Sequence, residues 1–183
     1  MKCTSCKKGV LTPTRLDKQI PCMTCNSCKG NWLYLEDYLS WKEKNPEAKF
    51  KNIKTNIKPR ATTSALLCPK TSIIMSRFRI SSKYEYKINL SPTINGIWLE
   101  KDVWELLKKE GLADKLNQIF TDPWQRKIKK EMSKAMFENM YQQQFGEDDY
   151  EEIKKIKAWL SKHPKKIHLI GYLHSDNPYS ATN

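Results

Sequence analysis

Two cysteine couples near the start of the chain constrain it more than any other feature. Cys3-x2-Cys6 and Cys25-x2-Cys28 are separated by 18 intervening residues. A CxxC turn aims two sulfurs at one point, with backbone amides turned toward them. Two such couples supply the tetrahedral four-sulfur set that zinc prefers. The sulfurs bind as thiolates, so the pattern calls for a reducing compartment. A unit of about 40 residues buries too little apolar surface to fold alone, and a metal provides the missing tie. The sequence therefore predicts one structural zinc held by Cys3, Cys6, Cys25 and Cys28.

Four thiolates leave no open metal position for catalysis. No nucleophile–base arrangement, paired carboxylates, phosphate loop or HExxH motif is present. The expectation is a protein that is not an enzyme and has no small-molecule substrate. Cys22 forms a second CxxC with Cys25, so two registers compete. Cys25 and Cys28 are preferred because Cys28 precedes Lys29-Gly30-Asn31-Trp32, and a glycine two residues after the last ligand suits a left-handed turn. Cys22 is then a small apolar strand residue.

Around the cysteines, Val10 to Arg15 reads as a strand, Asp17-Lys18-Gln19 as a turn and Ile20 to Thr24 as the return strand. A helix follows Tyr34, with Leu35, Tyr38, Leu39 and Lys42 at helical spacing, and Asn45-Pro46 ends it. Farther on, Ser76, Phe78 and Ile80 alternate, as do Tyr84, Tyr86, Ile88 and Leu90. Ser81-Ser82-Lys83 reads as their turn. Alternation sends Arg77, Arg79, Glu85 and Lys87 to a wet face. A helix is predicted over 101–110, stopped by Gly111.

This later segment repeats the first. Gly30-Asn31-Trp32-Leu33 matches Gly96-Ile97-Trp98-Leu99 at an offset of 66. At offsets of 65 to 66, the four ligand positions fall on Cys68, Thr71, Ser91 and Ile94. One thiol cannot hold zinc, so the second copy is expected to keep the ribbon shape without metal. The last third is helical. Trp124, Ile128, Met132, Met136 and Met140 form a stripe read as core, with a docking face as the alternative. Ile153, Ile156, Trp159 and Leu160 mark a second helix, and Ile167 to Leu173 a short third one.

The fold class expected is α+β: two tandem zinc-ribbon-like β modules, each followed by a helix, plus a helical C-terminal region. The boundaries read as 1–46 for the zinc ribbon, 47–66 for a basic linker and 67–111 for the metal-free ribbon. A helical tail over 112–176 and a loose terminus over 177–183 complete the chain.

Charge adds a partner class. The 33 Lys and Arg exceed the 20 Asp and Glu by 13, and residues 1–111 carry eleven of those net charges. Such an excess favours acidic partners: nucleic acid, or an acidic protein or transcription complex. The candidate contacts are Lys51, Lys54, Lys58 and Arg60 in the linker and Arg77, Arg79 and Lys87 on the hairpin. They would meet phosphates, which position a protein without reading sequence. No apolar run is long enough to span a membrane, and none follows Met1-Lys2-Cys3 as a signal peptide would. The expected location is the cytoplasm, with no membrane partner.

The run Cys3-Thr4-Ser5-Cys6, followed by Cys25-Asn26-Ser27-Cys28-Lys29-Gly30-Asn31-Trp32-Leu33, resembles the bacterial transcription-factor-IIB-type zinc ribbon family. That family ends its ribbon in Cys-x-x-Cys-x-Gly-x-Trp-Leu before a helix. Gly96-Ile97-Trp98-Leu99 looks like the same motif. Ile119 to Arg126 and Ala158 to Pro164 look like parts of a longer bacterial family with two ribbons and a helical tail. The resemblance implies nucleic acid or transcription machinery as partner. The chain departs from the two-ribbon pattern in lacking three of the four second-copy ligands. A protein-interaction adaptor without nucleic-acid contact is the alternative reading.

Overall fold

The computed structural model describes residues 1–47, 49–50 and 64–179. The chain divides into two units, Met1–Met132 and Ser133–Asn183. The four linker residues Lys51, Lys54, Lys58 and Arg60 lie outside the described residues.

In the first unit, the order of elements is β1 (Leu11–Leu16), β2 (Ile20–Cys25), β3 (Asn31–Tyr34), α1 (Leu35–Lys44), β4 (Ser76–Arg79), β5 (Lys87–Leu90), β6 (Gly96–Leu99) and α2 (Val103–Lys109). A 3-10 turn at Ala113–Lys115, α3 (Leu116–Ile119) and the start of α4 (Asp122–Phe145) follow. The six strands form one antiparallel sheet in the order β1-β2-β3-β6-β5-β4. The two repeated segments thus share a single sheet, joined where β3 pairs with β6. Trp32 lies opposite Trp98, and Leu33 opposite Ile97.

Strand alternation gives the sheet two apolar faces. On one, Ile20, Leu33, Ile88, Ile97 and Leu99 pack with Tyr38 of α1, with Trp104, Leu106 and Leu107 of α2, and with Leu116 and Ile119 of α3. On the other, Leu11, Cys25, Trp32 and Trp98 pack with Cys3, Leu66, Cys68 and Met75. Both tryptophans are almost wholly buried. Rings of this size bury about 150–250 Å² each, so the pair anchors the second face.

The glycines of the repeat explain why the two rings fit. A Cβ on Gly30 would come within 2.4 Å of the Trp98 ring, and one on Gly96 within 2.0 Å of the Trp32 ring. Each segment's glycine therefore seats the other segment's tryptophan. The expected left-handed glycine is corrected here. The positive φ falls one residue earlier, at Lys29 (61°) and Asn95 (49°), and Gly30 and Gly96 are needed for close approach instead.

Polar contacts add ties between the segments. Lys108 Nζ is buried, 2.7 Å from Asp17 in the β1–β2 turn and 2.9 Å from Glu105. Trp104 Nε1 donates to the other Asp17 oxygen at 3.0 Å. Burial pulls the Lys108 ammonium down, but its hydrogen bonds to Asp17 and Glu105 outweigh that and hold it above the usual lysine value. Tyr38 Oη donates to the Ala113 carbonyl at 2.9 Å, fastening α1 to the chain beyond α2.

The hairpin departs from the expected turn at Ser81-Ser82-Lys83. β4 stops at Arg79 and β5 starts at Lys87, leaving 80–86 as a longer connection. Side chains outside the hairpin hold that connection. Gln125 bonds both the N–H and the carbonyl of Arg79. Trp124 Nε1 donates to the Ile80 carbonyl, and Tyr84 Oη to Glu110 at 2.7 Å. Tyr84 and Tyr86 consequently lie outside the ladder.

The second unit holds the later part of α4, α5 (Glu147–Lys162) and α6 (Lys166–His174). Tyr141 stacks on Phe145 and on Tyr150 at the corner between α4 and α5. The expectation that the methionine stripe is core holds at Ile128, which is buried, and fails farther along. Met136, Phe137 and Met140 are 62%, 49% and 43% exposed. Among the described residues, no helix is long and apolar enough to cross a membrane.

Candidate metal centre

Both cysteine couples stand where strands begin or end. Cys3 and Cys6 lie in the loop before β1, which an isolated bridge between Lys2 and Val10 closes. Cys25 is the last residue of β2, and Cys28 lies in the turn before β3. A left-handed residue follows the second cysteine of each couple, Lys7 (φ 57°) and Lys29 (φ 61°). Each turn also aims an amide at its first or second sulfur. Gly9 N–H lies 3.3 Å from Cys6 Sγ, and Cys28 N–H lies 3.4 Å from Cys25 Sγ. A Cβ at position 9 would stand 2.4 Å from Cys25 Sγ, so only glycine fits beside the sulfurs.

The four sulfurs lie within 4.8 Å of one another. Cys3 to Cys28 is 3.6 Å, and Cys6 to Cys25 is 3.7 Å. Zinc–sulfur bonds of about 2.3 Å in a tetrahedron require sulfurs roughly 3.8 Å apart. The donor set therefore fits one zinc ion, with two ligands buried and two half-buried. All four cysteines are free thiols. The amide of Gly9 pulls the Cys6 thiol down to about 6. Burial pushes Cys3 and Cys28 up. A divalent cation held by these four sulfurs would supply the charge that makes a cluster of thiolates tolerable there.

Cys22 sits on the opposite face of β2 from Cys25. It is buried among Leu16, Ile20 and Leu33, with Thr14 Oγ1 at 3.1 Å. Strand alternation thus excludes the Cys22–Cys25 register.

One repeat later, the geometry recurs with different atoms. The Cys25 N–H bond to the Gly30 carbonyl (2.9 Å) has its counterpart in Ser91 N–H to Gly96 (2.7 Å). Cys3 N–H to Gly9 (2.9 Å) has its counterpart in Cys68 N–H to Ile73 (2.7 Å). Lys7 and Ser72 share a left-handed φ. At this second centre Cys68 and Ser91 are buried. Burial raises the Cys68 thiol, but hydrogen bonds from Ser91, from Thr71 and from local backbone outweigh it and leave the thiol below its ordinary value. Thr93 Oγ1 reaches Ser91 at 3.2 Å and Thr71 at 3.4 Å. Thr93 escaped the sequence reading because it matches no ligand position.

The two centres are linked through the first loop. Thr4 Oγ1 donates to the Leu67 carbonyl, and Ser5 Oγ to Glu100 at 3.1 Å. No sequence signal marks these contacts, because they depend on how the two segments meet.

Of the basic candidates, Arg77 lies opposite Asn89 and Arg79 opposite Lys87, so Arg77, Arg79 and Lys87 share one face of the β4–β5 ladder. Arg77 is exposed and the other two are half-buried. The strand order places this ladder at the far end of the sheet from β1 and β2, with β3 and β6 between.

Residues 2–44 match the model of the transcription factor zinc-finger family, the transcription-factor-IIB-type zinc ribbon. The match contains all four clustered sulfurs and α1 and ends before β4. This part of the chain is a zinc ribbon with a site for one zinc ion. Comparison with curated proteins found no match, and comparison with solved structures found none.

Proposed function

We propose that this is a cytoplasmic structural-zinc ribbon protein that binds nucleic acid or a transcription-type complex associated with it. We also propose that residues 67–111 form a second, metal-free ribbon. The observation that carries the functional reading is a transcription-type ribbon built into a strongly basic unit. The seven basic and seven acidic residues of Ser133–Asn183 cancel, so the whole net charge of +13 belongs to Met1–Met132. Such a field favours phosphate-rich partners and speeds encounter with them.

In this reading zinc does no chemistry. Cys3, Cys6, Cys25 and Cys28 would hold it, and it would fix the loops on the second face of the sheet. Arg77, Arg79 and Lys87 supply phosphate contacts from the β4–β5 ladder, and Lys51, Lys54, Lys58 and Arg60 supply more from the linker. The metal-free ribbon is supported by the hydrogen bonds and left-handed residues that recur at offsets of 64 to 66, and by the reciprocal seating of Trp32 and Trp98.

The test is fluorescence anisotropy with generic single- and double-stranded DNA and RNA across a salt series. Seven phosphate contacts predict that log affinity falls against log salt with a slope of roughly −6 on duplex DNA. Absent or salt-insensitive binding would remove the direct-contact reading. A stable protein partner recovered after nuclease treatment would then support the adaptor alternative.

A further inference from the structure

We propose that the cleft between the loop of Cys3 and Cys6 and its counterpart around Cys68 is a docking groove for a partner protein. The occupant is an extended peptide segment in which acidic and apolar residues alternate. The two loops meet where Thr4 Oγ1 donates to the Leu67 carbonyl. Beside that contact lies a cleft of about 340 Å³. Lys2, Thr4 and Lys7 line one side of it, and Leu67, Pro69 and Ser72 the other.

Apolar exposure in the first unit concentrates at these loops. Among its described residues the exposed large apolar side chains are Val10, Leu39, Leu67, Ile73 and Ile74, and all but Leu39 belong to the two loops or their closing bridges. Residues directly opposite one another in an antiparallel bridge put their side chains on the same face. Lys2 is bridged to Val10, and Leu67 to Ile74. Val10 therefore stands beside Lys2 on one wall, and Ile74 beside Leu67 on the other. Leu67 and Ile74 are 52% and 59% exposed. Single apolar side chains on a surface need no explanation, but a cluster along one cleft marks a contact surface.

Charge identifies the occupant. Residues 1–9 and 64–75 hold Lys2, Lys7, Lys8 and Lys70 and no Asp or Glu. Lys2 and Lys7 form no ion pair among the described residues. Lys70 Nζ already lies over the Tyr34 ring, 5.0 Å from its centroid. Four thiolates around one zinc ion would carry a net charge of about −2, which Lys2, Lys7, Lys8 and Lys29 outweigh. The chain's own linker does not complement the cleft, because residues 51–63 carry four basic residues and no acid. A nucleic acid would engage the lysines but leave Leu67 and Ile74 in water. An extended peptide points successive side chains to opposite sides. Its acidic residues then meet Lys2 and Lys7 on one wall while its apolar residues meet Leu67 and Ile74 on the other. The cleft shares no residue with the β4–β5 ladder, so phosphate contacts there neither need it nor compete with it.

The experiment is fluorescence anisotropy of the full, zinc-loaded chain with labelled peptides of about 12 residues, roughly 40 Å when extended. The probes alternate Glu with Leu, Glu with Ser, or Lys with Leu. The Glu/Leu peptide should bind with a dissociation constant of about 10–100 µM. The Glu/Ser peptide should bind at least about tenfold more weakly, since it offers the walls no apolar side chain. L67S/I74S, at two exposed positions, should weaken the Glu/Leu peptide by about tenfold or more. K2E/K7E should lose the Glu/Leu peptide and bind the Lys/Leu peptide better than the wild type does, a gain that misfolding cannot produce. Single-stranded DNA of matching length should not displace the bound Glu/Leu peptide. No binding of that peptide at about 1 mM would overturn the proposal. So would a Glu/Ser peptide that binds equally well, an affinity that L67S/I74S leaves intact, a K2E/K7E variant that does not exchange its preference, or displacement by the DNA.

Discussion

At Cys3, Cys6, Cys25 and Cys28, four sulfurs lie within 4.8 Å of one another. At the positions one repeat later, a single sulfur, two hydroxyls and the side chain of Ile94 stand at the corresponding turns. The backbone bonds around both centres are nearly the same length, 2.9 Å against 2.7 Å in two matched pairs. In the proposed reading the first centre holds a metal ion, whereas hydrogen bonds join Cys68, Thr71, Ser91 and Thr93 at the second. The difference lies in what the rest of each segment buries. The second segment carries α2, with Val103, Trp104, Leu106 and Leu107 all buried, whereas α1 buries only Tyr38. The shared sheet then lets each half lean on the other through Trp32 and Trp98.

The largest expected effect separates the two centres outright. Cys25→Ser removes one zinc ligand, and structural zinc contributes about 10–16 kcal/mol in small zinc modules. That is on the scale of a domain's whole stability of about 5–15 kcal/mol, and losing one of four ligands forfeits part of it, so the variant should unfold at a much lower denaturant concentration by circular dichroism. Cys68→Ser exchanges one small hydrogen-bonding group for another and should cost about 1 kcal/mol or less. Equal losses from the two substitutions would break the comparison.

A second test addresses the joint. Trp32→Ala and Trp98→Ala should each cost about 3–5 kcal/mol, as expected for truncating a buried tryptophan. Gly30→Ala and Gly96→Ala should each cost about 1–3 kcal/mol through overpacking. Denaturant titration checks all four. Matched losses at equivalent positions would sharpen the picture of reciprocal seats, and a large loss on one side alone would contradict it.

Lys108→Ala should cost about 1–2 kcal/mol, because Asp17 and Glu105 retain partial access to water and are not left fully buried. The folded-state value of Lys108 is raised, so its contribution is fully present below the ordinary lysine range and fades as pH climbs through the raised value. Stability profiles of the wild type and Lys108→Ala should therefore converge at strongly alkaline pH. The smallest effect concerns partners. Arg77→Ala, Arg79→Ala or Lys87→Ala should each shallow the salt slope for duplex DNA by about 0.9 per lost contact.

The four ligands, the ribbon strands and the repeat could all be read in the sequence, because CxxC spacing and strand alternation are local signals. The single sheet could not. The β3–β6 pairing joins residues 62 to 68 apart, and nothing in either strand states its partner. The role of Gly30 was misjudged for the same reason, since the ring that needs the space belongs to the other segment. The 80–86 connection was missed because its shape depends on Gln125 and Trp124, more than 40 residues away. On α4, helical periodicity announced an apolar stripe but could not say that cover ends near Met132.

Native mass spectrometry of the full chain tests the central claim most directly. The account predicts one zinc ion per chain in the wild type. It predicts two in a variant that restores the second ligand set, T71C/S91C/I94C, since the turns there already match. Two zinc ions or none on the wild-type chain would contradict it.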